Sequence, residues 1–261
     1  MSGDTRNMKI AVGAPVAGRA WILQEWRRRL QHQTLRPSAY CFVYSYSEDD
    51  TYKILGDKQW GGRVIVHKTL APYYSRTFRN TDQNDPHRAK HFSTLRNTLL
   101  AMFLRTDADL FVSLDTDVLL DDHSALERLT QTIQDGWDTA SALTYLHPLG
   151  ERSHCYNAGY LTGGVGFTQG WRRAEQNEVL AYRSPVKIDV PMAAVMMTHQ
   201  VAKSCRYKAH ECGEDIGFGQ SLAQHGFRSA WRTDLVVRHV WDETYLRREE
   251  EECSVEAAAW L

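Results

Sequence analysis

The chain has 261 residues, 43% hydrophobic and 24% charged, which are globular proportions and enough length for one large α/β domain with a sizeable core. Its formal net charge of −1 excludes a whole-protein field that would draw in nucleic acid or an anionic membrane, so any such partner must be held locally. Five cysteines (Cys41, Cys155, Cys205, Cys212 and Cys253) are an odd set at irregular spacing, without the close pairs of a zinc ribbon or redox dithiol, and are read as reduced thiols.

The first ten residues carry no apolar stretch of signal-peptide length, and no run approaches the roughly 18 apolar residues of a membrane span, so a cytoplasmic protein is expected. Met8 to Val12 forms a short apolar run that Gly13 and Pro15 are expected to end. Ala20 to His32 then places Trp21, Ile22, Trp26 and Leu30 at helical spacing. Tyr40 to Tyr46, aromatic and β-branched, predicts a second strand closed by the polar Ser-Glu-Asp-Asp stretch, and Arg63 to His67 predicts a third. From His87 to Leu104, Phe92, Leu95, Leu99, Leu100 and Phe103 share one helical face, and the break at residues 106–109 leads into the strand Leu-Phe-Val-Ser-Leu. Strands alternating with helices imply a mostly parallel, doubly wound sheet, in which ligands settle at the carboxyl ends of the strands. The tail from Leu246, with Arg247, Arg248 and the acids 249–252, reads as a solvated helix or a frayed end.

Three segments carry polar groups at such ends. In Leu110 to Leu120, two acids interrupt an apolar strand, and burying carboxylates without partners is costly. Alternation along a strand puts Asp115 and Asp117 on one face and turns Thr116 away, which offers two oxygen donors to one hard divalent cation. The competing reading has these acids cap the following turn, with Asp121 and Asp122 at a solvated helix start. In His210 to Leu222, Glu214 and Asp215 suit the start of a helix by capping alone. Gly217 and Gly219 each cost such a helix about 1 kcal/mol relative to Ala, so another backbone or a ligand is expected to pack closely there. A carboxylate at this place suits a general base if partial burial raises its pKa. In Leu235 to Trp241, His239 is either a satisfied core histidine or the third ligand that a two-carboxylate site lacks, since neutral imidazole suits manganese or zinc.

Taken in order, these pieces resemble the glycosyltransferase A fold, especially the family 2-like enzymes with a strand-end Asp-X-Asp motif. The resemblance runs from about Lys9 to Trp241. It rests on KIAVGAPVAGR as an opening strand with a proline turn, STLRN before the DTD strand, DVPMAAVMMTH as a small-residue segment lining the sugar pocket, GEDIGFGQSLAQHGFR and VRHVW. It implies a single catalytic domain over residues 1–245, with a nucleotide-binding half at about 8–120 and an acceptor half at about 121–245, followed by the tail at 246–261.

By resemblance, Asp115, Asp117 and His239 hold manganese or magnesium, Asp215 is the catalytic base and Glu214 contacts the acceptor. Pro15, Ser45, Arg96, Asp115, Thr116, Asp117 and Ala193 line the nucleotide-sugar site, with Arg96 reaching the diphosphate. The implied reaction transfers a hexose from a UDP-linked donor to an acceptor hydroxyl with inversion. Ser45 stands where these enzymes usually carry an acid that reads uracil, which leaves the base open. Acceptor residues are sought among Tyr73, Tyr74, His87, Arg88, Lys90, His91, Trp171, Arg172 and Arg173. Rings stack equally on a sugar or an exposed base, so a saccharide, a peptide and a hydroxymethylated pyrimidine in DNA all remain acceptors to weigh. A sugar nucleotidyltransferase fits poorly, because Gly13 to Arg19 is not a basic, Gly-rich phosphate loop. A non-catalytic nucleotide-sugar binding module stays open, while His210, His225 and His239 do not compose a metallohydrolase set.

Overall fold

The computed structural model describes residues 8–69, 86–144, 158–162, 170–174, 184–240 and 242–246. Tyr73, Tyr74, Cys155, Cys253, Trp241 and the tail beyond Leu246 lie outside these.

The chain opens with β1 (Ile10–Val16), α1 (Ala20–Gln31), β2 (Ala39–Ser45), α2 (Thr51–Leu55), β3 (Arg63–Thr69), α3 (Pro86–Phe103) and β4 (Leu110–Leu114). It continues through β5 (Val118–Leu119), α4 (Ala125–Gln134), β6 (Thr139–Thr144), β7 (Ala158–Leu161), β8 (Trp171–Arg173), β9 (Val186–Ile188) and β10 (Val190–Pro191). It closes with β11 (Ala194–Thr198), α5 (His199–Ser204), α6 (Glu214–Gln224) and β12 (Ser229–His239).

One nine-stranded sheet runs β3-β2-β1-β4-β11-β6-β12-β5, with β9 also paired to β12. The first four strands are mutually parallel. β11 is antiparallel to both β4 and β6, so β6 and its parallel neighbour β12 point the same way as β1 to β4, and only β5, β9 and β11 run back. A small antiparallel sheet, β10-β7-β8, lies beside it.

Alternation along the strands divides the core. Val12, Phe42, Val112 and Met196 face α1 and α4, while Ala11, Cys41, Phe111 and Met197 face α3, α5 and α6. Each fully buried aliphatic side chain in these layers contributes about 1.5–3 kcal/mol of transfer free energy. Cys41 and Cys205 are buried among them, and with Cys212 they are free thiols, as expected.

β1 does not stop at Gly13 and Pro15, contrary to expectation. A Cβ on Gly13 would lie 2.6 Å from the Phe111 ring, so the glycine serves packing within the strand. β1 pairs with β4 only through Gly13, but with β2 as far as Val16, so Pro15 sits where one side of the strand needs no partner.

The chain runs outward from β1 through β2 to β3 and returns to add β4 on the other side of β1. This reversal opens a crevice at the carboxyl ends of β1 and β4, where Val16 and Leu114 finish.

Candidate active site

The acids of the DTD segment lie just past the end of β4. The strand stops at Leu114, and a turn closed by Val118 N–H donating to the Asp115 carbonyl (3.0 Å) hands the chain to β5. Alternation along an unbroken strand is therefore not what orients these residues. The turn reaches a similar outcome: Thr116 is buried, and Asp115 and Asp117 keep side-chain exposure of 30% and 18%. The indole of Trp26 on α1 donates to the Asp115 carbonyl at 3.1 Å, and Val240 N–H donates to the Asp117 carbonyl at 2.7 Å, so both sides of the turn are pinned.

Each acid meets a different arginine. Asp115 takes Nη2 of Arg96 on both oxygens at 3.0 and 3.1 Å. The same guanidinium donates through Nε to Glu214 (2.8 Å) and through Nη1 to Ser113 (3.0 Å), and it lies over the Tyr207 ring. Burial works against its charge, but Asp115, Asp215 and Glu214 more than offset that and hold it protonated. Burial pushes the Asp115 carboxyl up, with Arg96 opposing and Asp117 adding to the rise. Arg96, expected to reach a diphosphate, is instead 5% exposed with its donors committed to this knot. Glu214, expected to meet an acceptor, is likewise buried and spent on Arg96.

Asp117 is partly exposed. Its Oδ2 accepts from Nη2 of Arg19 at 2.7 Å, and its Oδ1 lies 3.7 Å from Nε2 of His239 at the end of β12. That separation is below twice the roughly 2.1 Å of a metal–nitrogen or metal–carboxylate bond, so one cation can reach both groups. Of the three expected ligands, the structure brings together Asp117 and His239, while Asp115 turns to Arg96. Among the described residues no group of three or more His, Cys, Asp and Glu is spaced to hold a metal ion. His210 Nδ1 accepts from Cys212 N–H at 3.1 Å and His225 Nδ1 lies 2.8 Å from the Ser221 carbonyl, so each of these nitrogens is engaged by its own segment.

Asp215 is the second residue of α6, whose close docking explains its glycines. A Cβ on Gly217 would lie 2.1 Å from the Lys208 carbonyl oxygen, and one on Gly219 would lie 2.7 Å from that of Asp189. The partner of both glycines is backbone, which decides between the two readings open from sequence. Asp215 itself is partly exposed. Burial and the adjacent Glu214 push its carboxyl up to about 8, against the pull of Arg96 and Arg88. Arg88 on α3, a suggested acceptor residue, is thereby placed within electrostatic reach of Asp215. Trp171 on β8, another, packs against Ile216 and Met192.

The rest of the lining is backbone-rich. Ala193 holds φ at +66°, and Ala194 N–H donates to the Met192 carbonyl (2.9 Å), a three-residue turn that is strained in any residue with a side chain. Its carbonyl faces Asp115 N–H at 3.5 Å, at the edge of the DTD turn. Pro15 is partly buried near the end of β1, and Ser45 is buried at the end of β2. Asp49, beyond the end of β2, is used locally: it accepts from Ala20 N–H (3.0 Å), Thr51 N–H (3.2 Å) and the Ser47 hydroxyl (2.8 Å), which satisfies free amides at the starts of α1 and α2. Asp122 likewise accepts from Ser124 ahead of α4, and Asp121 pairs with Arg238 and Arg29, so those two acids are structural.

Arg19 escaped the sequence reading. An arginine in a short loop looks ordinary, and the one available signal was its place directly after β1, at a carboxyl end.

No family model matches the chain, and no curated protein matches it in sequence. Solved structures do match. The mannosyltransferase PcManGT from Pyrobaculum calidifontis, in complex with GDP-Man and Mn2+, superposes with a TM-score of 0.57 at 13% identity, over 92% of this chain and 59% of that one. S. aureus TarS 1-349 superposes with a TM-score of 0.56 at 12% identity, over 89% of this chain and 60% of that one. A longer TarS structure gives 0.55 at 13%, covering 37% of its length. This chain therefore has the mixed α/β fold of these proteins, the expected glycosyltransferase A architecture, and spans about 60% of the length of the first two. No helix among the described residues is long and apolar enough to cross a membrane.

Proposed function

We propose that the chain is a metal-dependent glycosyltransferase that moves a hexose from a nucleotide sugar, UDP-linked by preference, to an acceptor hydroxyl with inversion. The observation that carries this reading is the meeting of Asp117 and His239, 3.7 Å apart, at the turn that follows β4, with Asp215 within electrostatic reach of Asp115 in the same turn. The GDP-Man and Mn2+ bound by PcManGT, which shares the fold, are consistent with a nucleotide sugar and a divalent cation here.

Asp117 and His239 are the residues that would hold manganese or magnesium, which supplies positive charge against the departing diphosphate. Asp215 is the base: its oxygen takes the acceptor hydroxyl proton as that hydroxyl's oxygen bonds to the anomeric carbon and the bond from that carbon to the phosphate oxygen breaks, releasing nucleoside diphosphate. A carboxyl raised to about 8 is a stronger base than an ordinary aspartate once it has given up its own proton, so turnover is expected to rise as pH climbs through that value. Arg96 positions both acids around it, fixing Asp115 on the donor side and Glu214 next to the base. The strained Ala193 turn keeps a backbone wall against the DTD turn on the sugar side.

The test is a panel of nucleotide sugars scored by thermal stabilisation with MnCl2 and with chelator. A donor at a hundredfold over its Kd adds about 2.7 kcal/mol of stability. A UDP-sugar is expected to stabilise the chain with MnCl2 only, and Asp117→Ala to abolish manganese-dependent donor hydrolysis. Full hydrolysis in chelator, or by Asp117→Ala, defeats the reading.

A further inference from the structure

The diphosphate of a nucleotide sugar needs a cationic side chain that is exposed, positioned and able to change partners. Arg96 is positioned but neither exposed nor able to change partners, because its Nε, Nη1 and Nη2 are bound to Glu214, Ser113 and Asp115 in a buried knot. Arg19 meets all three conditions. It stands three residues beyond the end of β1, at the crevice between β1 and β4. Its backbone N–H donates to Thr51 Oγ1 at 2.8 Å, and Thr51 is fully buried, so the base of the side chain is anchored. Among the described residues its guanidinium has one hydrogen-bonded contact to a carboxylate, Asp117 at 2.7 Å, with side-chain exposure of 22%.

We infer that Arg19 is the diphosphate-binding arginine and that, without donor, it occupies Asp117 in competition with the divalent cation. The inference rests on the proposed function. Asp117 has one oxygen on Arg19 and the other toward His239. A cation binding between Asp117 and His239 withdraws charge from the carboxylate that retains Arg19, and an arriving diphosphate offers the guanidinium a better, bidentate partner. Arg19 therefore opposes metal binding in the empty site and favours nucleotide binding in the loaded one, two effects of opposite sign from one side chain.

That opposition separates the inference from a merely structural role. Wild type, Arg19→Ala and Arg19→Lys are titrated calorimetrically with MnCl2 alone, then with UDP or GDP at saturating MnCl2, with melting temperatures recorded for each. Arg19→Ala is expected to bind Mn2+ about twofold to fivefold more tightly, the size of a partly exposed ion pair removed as competitor. It is expected to bind the nucleoside diphosphate about tenfold more weakly, the loss of a charge-assisted bidentate contact. Arg19→Lys keeps the charge beside Asp117 and so keeps wild-type Mn2+ affinity, while losing most of the nucleotide contact. Mn2+ binding no tighter in Arg19→Ala, or nucleotide binding unchanged in both variants, overturns the inference and leaves the proposed function standing. A wild-type chain that binds neither Mn2+ nor either nucleotide removes the proposed function and the inference with it.

Discussion

Two arginines close on the two aspartates of one turn, and their surroundings give them opposite characters. Arg96 holds Asp115 and Glu214 at 5% exposure, with Ser113 and the Tyr207 ring completing its shell. Arg19 holds Asp117 where both side chains see solvent. Arg96 and Glu214 are buried and cannot fall back on water, and Asp115, itself partly exposed, is held by the same guanidinium through both oxygens, so removing the cation strands a buried carboxylate. At the rim water competes with the pair at little cost, so the same chemistry becomes exchangeable. Fixed charges build the site, and loose ones are available to a ligand.

The largest break in this contrast is Arg96→Met, which leaves Glu214 buried, and Asp115 partly exposed, without a counter-ion. The expected loss is about 3–5 kcal/mol in denaturant unfolding. Gly217→Ala should follow at about 1–3 kcal/mol, because its Cβ would lie 2.1 Å from the Lys208 carbonyl oxygen and α6, which carries Glu214 and Asp215, would have to shift. Asp215 sharpens the contrast by pH. Between its ordinary value of 3.8 and about 8 the folded chain retains a proton that the unfolded chain releases, so this group's contribution to stability falls as pH rises through that window. Asp215→Asn has no such proton to lose. Its melting temperature relative to wild type should climb by a few degrees from pH 4 to pH 9, while turnover is lost at every pH. Arg19→Ala should be the mildest, costing under about 1 kcal/mol of stability. A loss as large as that of Arg96→Met would erase the distinction between the two pairs.

Much of the fold was legible because its periodicities are strong. The expected helices at 20–32 and 87–104 appear at Ala20–Gln31 and Pro86–Phe103, and the Leu-Phe-Val-Ser-Leu strand appears unchanged. Gly13 and Pro15 misled, since local propensity marks them as breakers while the Phe111 ring and a one-sided ladder explain them in three dimensions. β12 begins at Ser229, six residues before the expected strand, with its register shifting between Arg232 and Val236, and an interruption of that kind hides an alternating pattern. In the site, Asp117 and His239 were identifiable as polar groups ending apolar strands. The partners of Asp115 and Glu214 were not, because Arg96 lies 19 and 118 positions away from them and no local spacing encodes such a choice.

The knot around Arg96 also has a mechanical consequence. Its carboxylates come from the turn after β4 and from the first residue of α6, one in each half of the chain. A single planar cation thus acts as a spacer bar between the turn after β4 and the start of α6. While it is in place those two segments cannot drift apart, so any opening between β4 and α6 must first break a buried ion pair.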